Sequence, residues 1–377
     1  MAKKDYSYLV ILIALYLIFL AIFKGQVFTY RFSPTLIKRY LCSQDIPHEP
    51  PCKRLFLSDG EIHIASGYLY SKGVEPTAYN FQHPPFIKYL YGYAVLLFGN
   101  PYYVQIGLGF LFILLTYIMG IKMFENSEIS LVACLLLLID PLFLYHSSSA
   151  LLDLGQGVFL LLYLISIIFY RKNILLQGLS LGLLLGSKFW GGSLFFIVLL
   201  TLYFLLKRQF IVKQYLYHLA IAAAIFSLIY IKSFISKEGQ FNIVFFELKT
   251  FKYWLNHSVT SVFGASLFLF LTGYLKSWWG SKSIVRSDIW TPLWPISLFA
   301  SSFVGLRLLL KKKMNLSLLI AVIPILYLTY LGVQAPFTRY FILILPFTYL
   351  LLARILISQI KSNFSFSNWR KGRDSNP

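Results

Sequence analysis

One polar stretch, from Ser58 to Lys88, contains several side chains of the types that do chemistry, in a chain that is otherwise strongly apolar. Three of the chain's 14 acidic residues and two of its 6 histidines fall here: Asp59, Glu61, Glu75, His63 and His83. A carboxylate held at a membrane surface can act as a general base, and cationic groups beside it can stabilise a charged leaving group. We therefore predict that this stretch forms one half of an active site.

The beginning of the stretch has the pattern of a helix N-terminus. Ser58 followed three residues later by Glu61 is typical of a capping box, which would give Glu61 a structural role. Asp59 then lies in the first helical turn, where the helix dipole favours its ionised form, and His63 falls near it one turn on. Asp59, Glu61 and His63 could together ligate a divalent cation, but their spacing is diagnostic of no metal site. Ordinary loop charge is the simpler interpretation of Asp59.

Further charged and imidazole groups are predicted to face the same side of the membrane. In HPPFIK the two prolines stiffen the start of a short helix and would present His83 and Lys88 where a phosphate could sit. A lysine that snorkels from a helix end is the alternative for Lys88. Asp153, in DPLFLYHSSSALLD, and Lys188, in GSKFWGG, could each serve a ligand or only a helix terminus. Arg339, in APFTRY, has the guanidinium fork that suits a phosphate.

The elements that position these groups are predicted to be membrane helices. Of 377 residues, 58% are hydrophobic and 13% are charged, whereas a soluble protein has about 25% charged residues. Several runs approach the ~20 apolar residues that span a bilayer, and none alternates as the strands of a membrane barrel do. We therefore predict an all-α polytopic membrane protein. The net charge of +20 does not indicate a nucleic-acid partner, because most basic clusters lie at the ends of apolar runs.

Basic flanking residues orient about ten predicted transmembrane helices, with both chain termini on the inner side. Two long loops, at about 24–101 and 236–291, then lie outside, and residues 1–358 form one transmembrane domain followed by a polar cytoplasmic tail, 359–377. The predicted spans are Tyr8–Phe23, Val104–Ile118, Leu131–Phe143, Gly155–Phe169, Ile174–Phe189, Ser193–Leu206, Leu216–Ile235, Leu293–Leu310, Leu316–Leu331 and Phe341–Leu356.

Two apolar segments of the long loops are predicted not to cross the membrane. Tyr89–Phe98 is far too short to cross, so we interpret it as an interfacial or re-entrant helix. Val259–Leu275, in the second loop, could be a helix that lies on the membrane surface. Counting Tyr89–Phe98 as a span would invert every later loop, so this interpretation decides which groups share one face.

Small residues and cysteines add two local predictions. Gly178, Gly182 and Gly186 lie on one helix face, which favours close packing against another helix over a ligand role. Cys42 and Cys52 share one polar loop and could form a disulfide if that loop faces an oxidising compartment. The sequence leaves open whether they pair.

Six short motifs, in this order along the chain, resemble those of the polyprenyl-phosphate-sugar-dependent glycosyltransferases of GT-C type, the protein O-mannosyltransferase and aminoarabinose-transferase family. SDGE resembles the Asp-Glu motif of the family's first outer loop, and HPPFIK its His-Pro-Pro-Leu-Gly-Lys element. DPLFLYHSSSALLD and GLSLGLLLGSKFWG resemble stretches that end in Leu-Leu-Asp and Thr-Lys-Trp. YLKSWWG is similar to Tyr-x-Ser-x-Trp-Trp, and PFTRYFILILPF to an Arg-Tyr-Leu-Leu-Pro stretch.

The resemblance implies inverting transfer of a mannose-like sugar from a polyprenyl- or dolichyl-phosphate carrier to a hydroxyl on a protein or lipid. It implies Asp59 as the general base, with Glu61 as the alternate because Gly60 separates two carboxylates that are adjacent in the family. No cofactor is required, although a divalent cation could be bound. The residues that would bind the donor phosphate or the substrate are His83, Lys88, Asp153, Lys188 and Arg339.

A transporter or flippase of a lipid-linked or anionic substrate is the alternative from another functional class. The gathering of polar groups on one face and the lack of evident broken helices at the membrane midplane argue against it. As a transferase, the protein would lie in the cell membrane or the ER membrane, with its site on the outer or lumenal face. Asn256-His257-Ser258 is an N-glycosylation acceptor pattern on that side.

Overall fold

The computed structural model describes residues 3–46, 52–257, 262–276 and 283–373, without the side chains of 361–373. Within these ranges the chain forms eighteen α-helices, two 3-10 helices and one two-stranded antiparallel sheet. The α-helices are α1 (Lys3–Lys24), α2 (Gln26–Thr29), α3 (Thr35–Leu41), α4 (Asp59–Ser71), α5 (Phe86–Phe98), α6 (Tyr102–Phe124), α7 (Ser127–Leu138), α8 (Pro141–Ser147), α9 (Asp153–Phe169), α10 (Ile174–Ser187), α11 (Gly191–Leu206), α12 (Val212–Ile229), α13 (Ile231–Ser236), α14 (Ile243–His257), α15 (Ala265–Thr272), α16 (Leu293–Leu310), α17 (Leu316–Tyr330) and α18 (Leu345–Arg373). The strands are β1 (Tyr274–Lys276) and β2 (Ile284–Arg286), and the 3-10 helices are Leu331–Val333 and Thr338–Leu343.

The predicted all-α membrane architecture is confirmed. In the described part of the chain, five helices are long and apolar enough to cross a membrane: α1, α6, α12, α16 and α17. The bent pair α7–α8 would make a sixth span. The four other predicted spans coincide with the shorter apolar helices α9, α10, α11 and α18. The protein is therefore an integral membrane protein whose central helices are shorter than a standard span.

The predicted span Leu131–Phe143 is divided between two helices, because the chain bends by 73° between α7 and α8. Pro141 has no N–H to continue the first helix, and the Asp140 carboxylate begins the second by accepting a hydrogen bond from the Leu142 N–H at 2.7 Å. The same carboxylate accepts hydrogen bonds from the Trp294 indole N–H, at 2.9 Å, and from the Tyr349 hydroxyl. Helices α16 and α18 thus fix the bend.

Close packing between helices follows the predicted glycine stripe. A side chain at Gly178 would place its Cβ 2.5 Å from Ile221, and one at Gly182 would place it 2.6 Å from Ile225, both on α12. Since neither distance is possible for real atoms, the glycines are required for the contact between α10 and α12. A second pair of helices, α4 and α5, approaches in the same way, with the Gly67 backbone against the Lys88 carbonyl.

The first long loop folds into short helices, α2 to α5. Cys42 and Cys52 form a disulfide with a Cα–Cα distance of 5.8 Å, and backbone bonding between Cys42 and Leu55 closes the same turn. Helix α5 has 13 residues and is therefore about 20 Å long, too short for the ~30 Å hydrocarbon core. Helix α10, with 14 residues, is hardly longer, so that α5 is an interfacial or re-entrant helix stays a prediction.

The second long loop differs from its prediction. Helix α14, which the sequence analysis did not predict, precedes in sequence the segment that was expected to form a surface helix. That expected helix, Val259–Leu275, is wrong in extent: the described part is only Ala265–Thr272, followed by β1. Gly264 and Gly273 flank it with φ of 78° and 81°, and this left-handed backbone ends a helix at both sides. Residues 258–261 lie outside the described ranges.

Candidate functional site

Asp59 and Arg339, 280 residues apart in sequence, form an ion pair. Asp59 is the first residue of α4, and the predicted capping box is present there: the Ser58 hydroxyl accepts from the Glu61 N–H at 3.3 Å, and the Glu61 carboxylate accepts from the Ser58 N–H at 3.0 Å. The Asp59 side chain is 49% exposed and that of Arg339 is 22% exposed. Burial acts to raise the pKa of Asp59, but the Arg339 guanidinium and His63 outweigh it and lower that pKa below its usual value.

Two neighbouring aromatic rings lie against the Arg339 guanidinium. Its Cζ atom lies 4.9 Å from the ring centroid of Phe337 and 5.5 Å from that of Tyr340. Its backbone carbonyl is 3.0 Å from the His146 Nε2 atom at the end of α8, so the bent helix pair positions it. Among the described atoms the Arg339 Nε atom is buried and has no hydrogen-bond partner. The guanidinium is therefore pre-oriented and has a donor to spare.

A second ion pair also contacts Tyr340. Lys188 follows the C-terminus of α10 and contacts Asp153, the first residue of α9. Both side chains are largely buried, with exposed fractions of 11% and 4%. The Lys188 Nζ atom lies 4.5 Å from the Tyr340 ring centroid. Asp59, Arg339, Tyr340, Lys188 and Asp153 thus form one array, in which each of two cations contacts the Tyr340 ring and pairs with its own carboxylate. We call this array the Tyr340 cluster.

A cleft of about 530 Å³ opens beside this cluster. His83, Lys188 and Tyr340 line it, and we call it the Tyr340 cleft. The Nδ1 atom of His83 is buried without a hydrogen-bond partner among the described atoms, and burial keeps the pKa of His83 well below its usual value. A neutral imidazole with a free ring nitrogen can still donate or accept one hydrogen bond. The other lining residues are Gln156, Phe189, Gly192, Trp254, Tyr327, Tyr330, Leu331 and Gln334.

Lys88 does not reach the Tyr340 cleft, contrary to the expectation that it would meet a phosphate. Its side chain is fully buried, and its ammonium donates to the Asn80 carbonyl at 2.7 Å, the Asn80 side-chain oxygen at 3.1 Å and the His83 carbonyl at 2.7 Å. The Tyr70 ring lies 5.4 Å from the same nitrogen. The close approach of α4 to α5 buries this position, so Lys88 fixes the loop that ends in His83.

Glu61 and His63 are also engaged with other parts of the fold. Besides its capping role, the Glu61 carboxylate forms an ion pair with Arg39 at 3.0 Å. The His63 Nδ1 atom is 2.9 Å from the Ala150 carbonyl, and burial lowers the pKa of His63 to about 4. Among the described residues no group of three His, Cys, Asp or Glu side chains is placed to hold a metal ion. The structure therefore does not assemble Asp59, Glu61 and His63 as a ligand set.

Sequence reasoning missed the contribution of helix α14 to the cleft. Trp254 donates its indole N–H to the Gln82 carbonyl at 2.8 Å, and its ring centroid lies 5.0 Å from that of His83. Glu247 accepts from the Trp190 indole at 2.8 Å, and burial raises the pKa of that carboxyl. The sequence pattern that could have indicated this helix is the four-residue spacing of Phe246, Thr250 and Trp254, which places them on one helix face.

Two predicted features of the second long loop lie partly outside the described residues. YLKSWWG continues past Lys276 into 277–282, and the acceptor pattern beginning at Asn256 ends at Ser258. Only their first residues are placed, in β1 and at the end of α14.

Two solved structures share this fold. ArnT from Cupriavidus metallidurans bound to undecaprenyl phosphate matches with a TM-score of 0.56 and 16% sequence identity, over 85% of this chain and 58% of that chain. The same protein in the apo state matches with a TM-score of 0.55 and 16% identity, over 85% and 57%. The chain therefore spans somewhat more than half the length of the transferase it resembles. No family model and no curated protein matches the sequence. The resemblance to the aminoarabinose-transferase type is confirmed at the level of the fold.

Proposed function

We propose that this protein is a glycosyltransferase that moves a sugar from a polyprenyl- or dolichyl-phosphate carrier to an acceptor hydroxyl, with inversion. The observation that supports it most is the Tyr340 cluster: two cations and two carboxylates around one tyrosine, beside a cleft between apolar helices. The reaction needs a base for the acceptor and cations for the departing phosphate. The shared fold with ArnT, solved with undecaprenyl phosphate, supports the class of donor.

Asp59 is the proposed general base. Its carboxylate takes the proton of the acceptor hydroxyl while the hydroxyl oxygen forms a bond to the anomeric carbon. The bond from that carbon to the carrier's phosphate oxygen breaks, and its electron pair leaves with the phosphate. Attack from the face opposite the phosphate inverts the anomeric centre. Glu61 is less suited to this role, because the helix N-terminus and Arg39 already occupy both of its oxygens.

Lys188, Arg339 and His83 are the proposed groups that hold the leaving phosphate. Lys188 and His83 line the cleft, and Arg339 has a spare donor next to Tyr340. A phosphate that binds Arg339 competes with Asp59 for the guanidinium. Since Arg339 lowers the pKa of Asp59, its transfer to the phosphate makes Asp59 a stronger base when the donor is present. Asp153 holds the side chain of Lys188 in place.

A transfer assay with purified protein in detergent tests the proposal. The donors are a panel of lipid-linked sugars on polyprenyl and dolichyl phosphate, and mass analysis identifies the glycosylated product among protein and lipid acceptors. We expect release of the lipid phosphate with formation of a product of inverted configuration, and loss of both with Asp59→Ala. A transporter or flippase gives no product in detergent. Absence of product with every donor, or full activity of folded Asp59→Ala, contradicts the proposal.

The proposal places the site on the outer or lumenal face of a cell or ER membrane. Charge placement along the sequence supports that orientation, because most basic clusters then fall on the inner face. Residues 1–358 would form the single transferase domain. The identity of the sugar and the choice of a protein or lipid acceptor are the results that the panel supplies.

A further inference from the structure

A second cleft lies at the opposite ends of the helices that build the Tyr340 cleft. Helix α9 begins at Asp153 in the Tyr340 cluster and ends at Phe169 beside this second cleft. With 17 residues the helix is about 25 Å long, so the two clefts are separated by roughly that distance. Helices α10 and α11 also run between them. The second cleft is open to solvent and contains Arg171, Lys172 and Gln209 in its wall, and we call it the Arg171 cleft.

The side chains of the Arg171 cleft are held in place by the fold. The Arg171 guanidinium lies 4.9 Å from the Phe204 ring centroid and donates to the Gln209 side-chain oxygen at 2.9 Å. Gln177, itself buried, donates to the carbonyls of Tyr170 at 3.2 Å and Arg171 at 2.9 Å. A guanidinium stacked on a ring and bonded along one edge retains donors on its other edge. The cleft thus has a fixed cationic wall.

The charge of this region is positive and unbalanced. No aspartate or glutamate lines the cleft, and in the described part of the chain none of the ion pairs includes its two cations. Three further cations stand in or next to the turn that closes it: Lys207, Arg208 and Lys213. Basic residues at helix ends are common in membrane proteins, and by themselves they do not indicate a binding site. In this protein, however, Arg171 and Lys172 line a cleft together with the side-chain amides of Gln209 and Gln214.

Apolar surface adjoins the charged wall. Leu206 is 70% exposed, Val212 60% and Leu216 59% at the helix ends next to the cleft. Within a bilayer these side chains would contact acyl chains, while Arg171 and Lys172 face the headgroup level. A ligand that fits both surfaces has an anionic phosphate head and an apolar tail. We propose that the Arg171 cleft binds the phosphate of an anionic membrane lipid, at a site separate from the Tyr340 cleft.

Titration of the purified protein with lipids, followed by native mass spectrometry, tests this site. The probes are dioleoyl phosphatidylglycerol and dioleoyl phosphatidylcholine, which differ in headgroup charge, and inorganic phosphate as a competitor. Arg171→Gln/Lys172→Gln removes the cationic wall. Lys312→Gln/Lys313→Gln is the matched control, because it removes two adjacent cations that follow α16 and line none of the described clefts. Both pairs are exposed, and a thermal melt of each variant establishes that it is folded.

We expect wild type and the control variant to bind phosphatidylglycerol more tightly than phosphatidylcholine. Each cation near the membrane surface contributes about 1 kcal/mol, so the Arg171→Gln/Lys172→Gln variant should bind phosphatidylglycerol about 10- to 30-fold more weakly. If both double variants lost the same affinity for phosphatidylglycerol, the lipid would be bound by surface charge in general, and the proposed site would be overturned. Equal binding of the two lipids by wild type would also overturn it. Full displacement by millimolar inorganic phosphate would assign the cleft to free phosphate instead of a lipid.

Discussion

Two lysines of this protein, Lys88 and Lys188, both lie in polar motifs of the sequence but have different surroundings in the fold. Lys88 is fully buried and donates to the oxygens of Asn80 and His83. Lys188 contacts the Asp153 carboxylate and the Tyr340 ring, and lines a cleft. Neutral oxygens of the protein satisfy the first ammonium, whereas the second is part of an array that a new anion could enter. The partners of a buried cation, more than its residue type, separate a structural role from a site for a ligand.

The same contrast holds for the two carboxylates at the start of α4. Glu61 is bonded to the helix N-terminus and to Arg39. Asp59, half exposed, forms its ion pair with Arg339, a member of the Tyr340 cluster. If the comparison is correct, substitutions of Asp59 and Lys188 change activity, and substitutions of Glu61 and Lys88 change stability.

The largest effect is expected from Asp59→Asn. Loss of a positioned base lowers a rate by about 10²–10⁴-fold, so sugar transfer should fall by that factor while the protein remains folded. Glu61→Gln is the matched control, since it removes a carboxylate two residues away, and we expect it to retain most of its activity. Initial rates with a lipid-linked donor measure both. A larger loss of rate in Glu61→Gln than in Asp59→Asn would reverse the assignment.

The second largest effect is expected from Lys188→Gln. It leaves Asp153 buried without its cation, and breaking a buried ion pair costs about 3–5 kcal/mol of unfolding free energy. The double variant Lys188→Gln/Asp153→Asn removes both charges and should recover most of that stability without recovering activity. Thermal unfolding and transfer rates on the three proteins check this. Recovery of activity in the double variant would mean that Lys188 serves the fold alone.

Lys88→Met should have a smaller effect, and on stability only. Its acceptors, the oxygens of Asn80 and the His83 carbonyl, lose their donor, and an unsatisfied buried polar group costs about 1–3 kcal/mol. The folded protein should keep its affinity for the lipid donor. The midpoint of thermal unfolding and the KM for the donor, measured on one preparation, separate the two effects. A raised KM with an unchanged midpoint would contradict the structural role.

The smallest effect concerns pH and the pair Asp59–Arg339. The pKa of Asp59 is lower in the folded protein than its ordinary value near 3.9, so the pair stabilises the fold above that pH and loses this contribution as the pH falls through the folded pKa. Arg339→Gln should therefore be less stable than wild type at pH 7, by at most about 1 kcal/mol for so exposed a pair. The difference should shrink toward pH 3. An equal difference at both pH values in thermal melts would rule out this linkage.

Much of the architecture could be predicted because membrane helices are local in sequence. Apolar runs and basic flanks located a helix at each predicted span, and the Ser58–Glu61 spacing predicted the capping box. The bend at Asp140 could not be predicted in the same way. It depends on hydrogen bonds from Trp294 and Tyr349, which are far away in sequence.

The residues of the candidate site could be predicted from the sequence, but the residues that each of them contacts could not. Asp59, His83, Lys188, Asp153 and Arg339 are chemically suitable residue types at helix ends, and the structure brings them to the Tyr340 cluster or its cleft. Burial of Lys88 follows from the contact of α4 with α5, which no local pattern reveals. The role of α14 was missed although Phe246, Thr250 and Trp254 share one helix face, because the contacts of that face are with residues far away in sequence.

Binding of a polyprenyl phosphate to three purified proteins tests the central contrast most directly. The proteins are wild type, Lys188→Gln/Asp153→Asn and Lys88→Met, of which the double variant has the same net charge as wild type. A hydrogen bond between charged groups contributes about 1.5–3 kcal/mol, so we predict that the double variant binds at least about tenfold more weakly while Lys88→Met binds as wild type does. Equal binding by wild type and the double variant, or a loss confined to Lys88→Met, would contradict the account.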